Sequence, residues 1–328
     1  MQQQPQEYAF EFTGNGREYF NIWIVNLLLT ILTLGVYSAW AKVRRLQYFY
    51  RNTRLADASF EYHGTPKAIL KGRLIALGVF IVYTVAGKVY PPVGAAIGLL
   101  ISGAMPLIIV RSLRFKLYNS SYRGLRFAFA GSYKDAYRVF MLLPIFTMLT
   151  LFLLAPFTHQ RIKQYEHSNS RFGDTGFSFE APVFSFYSIY LKCIGMLIAL
   201  CIVVGILFAE KMRFMLIFLP NAFLIIAAYI AVSLPNLQWN SSKLGNHKCY
   251  SRLEMGSYLW ISVTNLVAIV FTLGLFIPFA KVRMVRYKLE NMGIVAQGDL
   301  AEFIVGQTQQ ISAIGEEAAA MFDVDISL

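Results

Sequence analysis

From Phe20 to Trp40 the chain carries no charged side chain, and just beyond come Lys42, Arg44, Arg45 and Arg51, interleaved with Tyr48, Phe49 and Tyr50. About 20 apolar residues cross a bilayer. A span that ends in aromatic and basic residues carries the signature of a cytoplasmic exit. Further apolar blocks lie at about 67–88, 93–110, 139–157, 185–209, 212–234 and 258–279. Only 15% of the residues are charged, against 56% hydrophobic, whereas a soluble protein carries about a quarter charged. The expected fold class is therefore an all-α polytopic membrane protein with about seven transmembrane helices. Short β-strands at the membrane faces are read from alternation at Phe10 and Phe12, Phe60 and Tyr62, Phe127 and Phe129, and Phe177 and Phe179. The formal net charge is +12. Because the basic residues flank apolar spans, they are assigned to membrane orientation and not to nucleic acid.

The chain repeats itself. Sliding residues 10–62 by 117 positions places them on 127–179: Phe10 and Phe12 meet Phe127 and Phe129, Gly14 meets Gly131, Tyr48 meets Tyr165, and Asn52 meets Asn169. Sliding by 239 puts Asn26 on Asn265, Gly35 on Gly274, Ala41–Arg44 on Ala280–Arg283, and Asn52 on Asn291. WNSSKLG also echoes YNSSYRG. The expected organisation is a single integral membrane domain over 1–328. It holds repeat units at 10–64, 127–181 and 245–300, helical hairpins at 67–110 and 185–234, and a tail at 301–328.

A unit plus a hairpin holds three spans, so successive units are expected to be inverted across the bilayer. Basic residues follow the first and third unit spans but precede the middle one, as an inverted copy requires. This puts the N-terminus outside and the C-terminus inside, and lets Phe60–Tyr62 pair with Phe127–Phe129. The rival topology breaks the unit spans at Gly35 and Gly274, making them re-entrant, with all three units on the cytoplasmic side.

The combination of F-x-F-x-G, TLGVYSAWAKVRR, YRNTRLADASFEYHG and the GEEAAAMFDVD tail resembles the YjgN-like family of bacterial inner-membrane proteins, whose defining domain has no known function. The resemblance covers almost the whole chain. It implies a location in the bacterial inner membrane and supplies no activity; the expected multi-pass topology, with the C-terminus cytoplasmic and the N-terminus periplasmic, comes from the spans and their flanking charges. The middle copy departs from the pattern: His159-Gln160-Arg161 stands where Lys42, Val43 and Arg44 stand, and Pro156 replaces Ala39.

Candidate site residues fall into three groups. Lys192, Asn26 and Asn265 are polar groups inside apolar spans, where an ionisable side chain marks a functional site unless it snorkels to the interface. An asparagine there is either ligand-facing or interhelical glue. Lys42, Arg44, Arg45, Arg51 and Arg54 form a basic cluster suited to anionic lipid headgroups or to orientation alone. Asn52, Arg54 and Asp57 recur as Asn169, Arg171 and Asp174, either as a polar site or as caps and turns. No catalytic motif, cofactor fingerprint or metal-ligand spacing is found, and His63, His159, His167 and His247 do not cluster. No enzyme activity and no cofactor are expected.

Two functions remain open at this point. One is a transporter or channel-like protein for a small solute or lipid. The other is a non-transporting scaffold or lipid-binding platform with a basic cytoplasmic face. Anionic membrane lipids are the expected partners.

Overall fold

The computed structural model describes residues 6–209 and 219–298, together with Gly306. The Glu210–Lys211 connection and the tail assigned to 301–328, Gly306 apart, lie outside the described residues.

Eleven short strands form one antiparallel sheet. They are β1 (Gln6–Ala9), β2 (Glu11–Phe12), β3 (Thr53–Leu55), β4 (Ala58–Tyr62), β5 (Ser120–Tyr122), β6 (Leu125–Phe129), β7 (Ser170–Phe172), β8 (Thr175–Phe179), β9 (Ser242–Leu244), β10 (His247–Ser251) and β11 (Met292–Ala296). The order runs from β2 through β3 to β11 and ends on β1. β1 and β2 are successive pieces of one extended segment hinged at Phe10, so the sheet returns to its starting strand. β1 pairs with β11 at Tyr8 and Ile294, and β2 pairs with β3 at Glu11 and Arg54. Phe10 N donates to Met292 O at 2.9 Å across the seam.

Tight turns join β3 to β4, β5 to β6, β7 to β8, and β9 to β10. Left-handed residues in these turns are Ala56 and Asp57, Arg123 and Gly124, Gly173, and Gly245, as two-residue hairpins of primed type require. Every other connection is a helix pair. The pairs are α1 (Gly16–Leu32) with α2 (Ser38–Arg51), and α3 (Pro66–Val89) with α4 (Pro91–Tyr118). The third comprises α5 (Tyr133–Tyr137), a π-type turn (Arg138–Leu142), α6 (Leu143–Leu149) and α7 (Ala155–Ser168). The last two are α8 (Val183–Ala209) with α9 (Leu219–Asn240), and α10 (Met255–Phe271) with α11 (Ile277–Glu290). In an antiparallel meander the tight turns occupy one end of the ring, and the helix pairs all leave from the other.

This corrects the expected fold class. The protein is not all-α, and it does not have seven spans. Only α3, α4, α8 and α9 are long and apolar enough to cross a membrane among the described residues. The three units are helical hairpins that turn back. Leu34 and Gly35 take φ of 48° and 92°, and Leu273 and Gly274 take 50° and 92°. Thr33 and Thr272 cap the second helices, accepting from Tyr37 N at 2.9 Å and Phe276 N at 3.0 Å. The inverted arrangement fails for the same reason: all three units send strands into one ring. The expected direct pairing of β4 with β6 is also wrong, because β5 lies between them and pairs with both. Basic residues fall before some unit spans and after others without changing sides, because each helix pair begins and ends on the same face.

The hairpin tips are exposed and apolar. Leu34, Leu151 and Leu273 are 96%, 85% and 94% exposed, which suits lipid contact. In the middle unit Phe152 stands where Gly35 stands in the first, yet it takes φ of 66°. A side chain in that region costs about 1–2 kcal/mol. Gly35→Val or Gly274→Val is therefore expected to lower stability by about that amount, while Phe152→Val is close to neutral. Thermal unfolding in detergent of the three variants separates them. Equal effects at all three positions would remove the role assigned to glycine.

The ring is filled. Phe10, Leu55, Tyr122, Leu125, Phe172, Leu244, Cys249, Met292, Ile294 and Ala296 are buried in one cluster, with Phe60, Phe127, Phe177 and Trp239 packed against it. Burial pushes the Cys249 thiol up to about 12, so it is a packing residue and a poor nucleophile.

Two histidines of the strand face are also held neutral. His167 stacks on Phe179 with ring centroids 5.0 Å apart, and its Nδ1 lies 3.1 Å from Ser242 Oγ. His247 Nδ1 accepts from Gln297 N at 3.2 Å. Burial lowers both pKa values below 6.5, helped at His167 by Lys163. A folded pKa below the unfolded one means that the unfolded chain takes up protons first. Stability is then complete above about pH 6.5 and falls as pH drops through the folded values. The unfolding temperature is expected to fall between pH 7.5 and pH 5.5, and less so in a His167→Asn/His247→Asn variant. An unchanged slope in that variant would rule the two histidines out.

Candidate functional site

The helix pairs repeat one hydrogen-bonding device at the ring. Asn52, Asn119, Asn169 and Asn291 each end a helix, and each Nδ2 donates back to the carbonyl four residues earlier, at 2.7–2.8 Å. Their own carbonyls accept from the residue directly after the strand that precedes each pair, from Thr13, His63, Ala130 and Arg252 N, at 2.8–3.0 Å. In the fourth pair Ser241 O takes this place, accepting from Glu180 N at 2.9 Å. Asn52 and Asn169 are thus helix-end caps. Asp57 and Asp174 sit in the β3–β4 and β7–β8 turns, and Arg54 and Arg171 lie exposed on β3 and β7. The repeated polar residues are spread around the ring and do not converge.

Among the described residues, the three pairs that turn back early carry a second clasp. Tyr48, Tyr165 and Tyr287 each donate Oη at 2.8 Å to the carbonyls of Asn15, Ser132 and Glu254, at the start of the partner helix. This fixes the base of each hairpin and with it the facing side chains of α1 with α2 and of α10 with α11.

Two adjoining open cavities lie against α1, α2 and α11. A central cavity of about 700 Å³ lies against the ring, with Phe10, Phe60, Phe127 and Met292 on one wall and Arg45, Lys116, Lys281 and Lys288 among its helical residues. Burial lowers the pKa of Lys288, which lies 5.6 Å over the Tyr258 ring. A lateral cavity of about 430 Å³ lies between α1, α2, α3 and α11, lined by Trp23, Asn26, Lys42, Arg45, Arg73 and Lys281 among others. Arg45 and Lys281 belong to both. Among the described residues no Asp or Glu lines either cavity. None of these six cations takes part in an ion pair among the described residues. Arg73 donates to Ser38 Oγ, and Lys281 Nζ lies 5.2 Å over the Phe49 ring.

The candidate residues named from sequence divide accordingly. Lys42 and Arg45 line the cavities. Arg44 and Arg51 lie on another face of α2, in a groove with Asn21, Tyr48 and Asn52. Asn26 and Asn265 are both buried, at 7% and 6% exposed, but they differ in their partners. Asn265 Nδ2 donates to Ala280 O at 3.2 Å, and its Oδ1 accepts from Arg283 Nη1 at 2.7 Å. Asn26 lines the lateral cavity, and its buried Oδ1 has no partner among the described residues. Lys192 is exposed on α8 and lines neither cavity. Arg73, Lys116, Lys281 and Lys288 were missed. For Lys281 the signal existed, since it is the repeat equivalent of Lys42; the other three are ordinary flanking cations in the sequence.

A family model described as a bacterial protein of unknown function (DUF898) matches residues 7–321. The chain belongs to that family. This DUF898 member is 25% identical to the inner membrane protein YjgN of Salmonella typhimurium, over 89% of each chain. It is 34% identical to the inner membrane protein YjgN of Escherichia coli K12, over 42% of this chain and 35% of that one. No solved structure matches. With these relatives and its four span-length apolar helices, the DUF898 chain is an integral membrane protein. Among its described residues no group of His, Cys, Asp or Glu is arranged to hold a metal ion.

Proposed function

We propose that this is an inner-membrane lipid-binding protein that holds an anionic amphiphile in the joined cavities beneath the strand ring. The observation that carries the reading is six cations around apolar and aromatic walls, with no ion pair and no carboxylate among them in the described residues. Lys281 and Lys288 are half-buried, and burial lowers the pKa of both, while Lys42, Arg45, Arg73 and Lys116 are exposed. An anionic headgroup complements that charge, and an acyl chain suits Phe10, Phe60 and Phe127. The packed ring favours this binding role over a channel through the barrel.

Sidedness is part of the proposal. The α3–α4 turn carries Lys88, whereas the ring side of the helices carries Arg44, Arg45, Arg51, Arg111, Arg114, Lys116, Arg286 and Lys288. By the positive-inside tendency the ring is cytoplasmic. Because β1 pairs with β11, the segments near both chain ends share that face.

The test uses the full chain in phosphatidylcholine nanodiscs with and without phosphatidylglycerol, with retained lipid counted by native mass spectrometry. Wild type is expected to retain phosphatidylglycerol. Arg45→Gln/Lys281→Gln is expected to lose it by more than about tenfold, since charge-assisted hydrogen bonds contribute about 1.5–3 kcal/mol each. Equal retention of both lipids by wild type would refute the reading.

A further inference from the structure

The lateral cavity differs from the central one in having a buried polar atom without a partner. Asn26 Oδ1 is unpaired among the described residues, in a side chain only 7% exposed, whereas the equivalent Asn265 uses both ends of its amide. Leaving such an atom unmet costs about 1–3 kcal/mol. An asparagine amide presents either a donor or an acceptor after a half-turn about its last torsion. The cavity that Asn26 lines is also lined by Lys42 and Arg45 of α2, Arg73 of α3 and Lys281 of α11, all but Lys281 exposed, while Trp23, Leu27 and Ile277 supply apolar wall.

Lys42 and Lys281 are repeat equivalents from the first and third units, brought to one cavity by the packing of α1 against α11. The middle unit supplies His159 instead, whose Nδ1 lies 3.1 Å from Tyr190 Oη, away from this cavity. Two guanidinium groups and two ammonium groups without a carboxylate form a donor set suited to a phosphate oxyanion.

We propose that the lateral cavity is a phosphate-binding site, with Lys42, Arg45, Arg73 and Lys281 as the charge donors and Asn26 as the residue that selects the oxyanion. The inference rests on the lipid-binding reading and sharpens it by placing the headgroup phosphate. The phosphate is that of a phospholipid or of a soluble phosphate ester, and the two are separable.

The experiment measures binding to the detergent-solubilised full chain by calorimetry and thermal shift. The probes are dioctanoyl phosphatidylglycerol, dioctanoyl phosphatidylcholine and glycerol 3-phosphate. Wild type is expected to bind the first at least about tenfold more tightly than the second. Asn26→Asp puts an anion among the cations, and is expected to keep or raise the ligand-free unfolding temperature while weakening binding by at least about tenfold. Lys42→Gln/Arg73→Gln, confined to the lateral cavity, is expected to lose more affinity than Lys116→Gln/Lys288→Gln, confined to the central one.

A tenfold preference for the lipid over glycerol 3-phosphate assigns the phosphate to a phospholipid, and equal affinity assigns it to a soluble ester. Full affinity in Asn26→Asp, or a larger loss in the central variant than in the lateral one, overturns the phosphate assignment while leaving lipid binding intact. Failure of wild type to bind either phosphatidylglycerol or glycerol 3-phosphate overturns both.

Discussion

Phe10→Ala is expected to destabilise the protein by about 3–5 kcal/mol, the usual cost of removing a buried aromatic side chain. Phe10 is 7% exposed and sits at the hinge between β1 and β2, where the first segment passes from one neighbour strand to the other. Its ring lies 5.7 Å from Trp239, edge-on, and 6.0 Å from Phe60. The side chain therefore ties the start of the chain to β4 and to the end of α9. Gly293→Val probes the same seam from the opposite strand. A Cβ at Gly293 would lie 2.2 Å from the Tyr8 carbonyl oxygen, a backbone atom that cannot move aside without breaking the β1–β11 pairing. Both variants are expected to expose the ring to limited proteolysis at its seam and to lower the unfolding temperature. An aromatic replacement, Phe10→Tyr, is expected to keep most of the stability. Wild-type unfolding in Phe10→Ala would mean that the ring does not close there.

The second large effect is all-or-none. In a background with Cys193, Cys201 and Cys249 replaced, single cysteines at Ser59 and at Ser168 are both expected to resist a membrane-impermeant thiol reagent in intact cells. Both should react once the cells are broken. A cysteine at Tyr90, in the α3–α4 turn, is expected to react in intact cells. Ser59 lies on β4, and Ser168 ends α7 directly before β7. The two flank strands of one ring and cannot be on opposite sides of a bilayer. Labelling of Ser168 but not Ser59 in intact cells would require inverted units and would break the ring topology. Labelling of both, with Tyr90 protected, would keep the ring and reverse its sidedness.

Much of this was legible in the sequence, and the failures have identifiable causes. The run from Phe20 to Trp40 has the length of a span, yet it turns back at Leu34 and Gly35. Hydropathy reads length and polarity and does not read the left-handed pair that reverses the chain. Gly35 and Gly274 carried that signal, but Phe152 holds the same turn in the middle unit without a glycine, so the signal was incomplete. The alternating strands at Phe10, Phe60, Phe127 and Phe177 were found, along with the Asn52, Asn169 and Asn291 equivalence. Asn119 was visible in one NSS echo, and Ser241, which takes its place in the fourth pair, in the other. Joining them would have given five helix pairs in place of three units and two hairpins.

The sequence by itself determined the membrane class, the apolar blocks of the four span-length helices among the seven it read as spans, the strand segments at Phe10, Phe60, Phe127 and Phe177, and the identities at fixed spacing. Each follows from local quantities: apolar length, side-chain alternation and identity at fixed spacing. Only the tertiary structure decided that the strands share one ring, because strand partners are set by long-range pairing between residues as distant as Gln6 and Ala296. That closure in turn decided which cations meet. Lys42, Arg73 and Lys281 are remote in sequence and converge because the ring holds α1, α2, α3 and α11 side by side. It also decided that Asn265 is satisfied by Arg283 while Asn26, its twin in the repeat, lines a basic cavity with a buried Oδ1 that has no partner among the described residues.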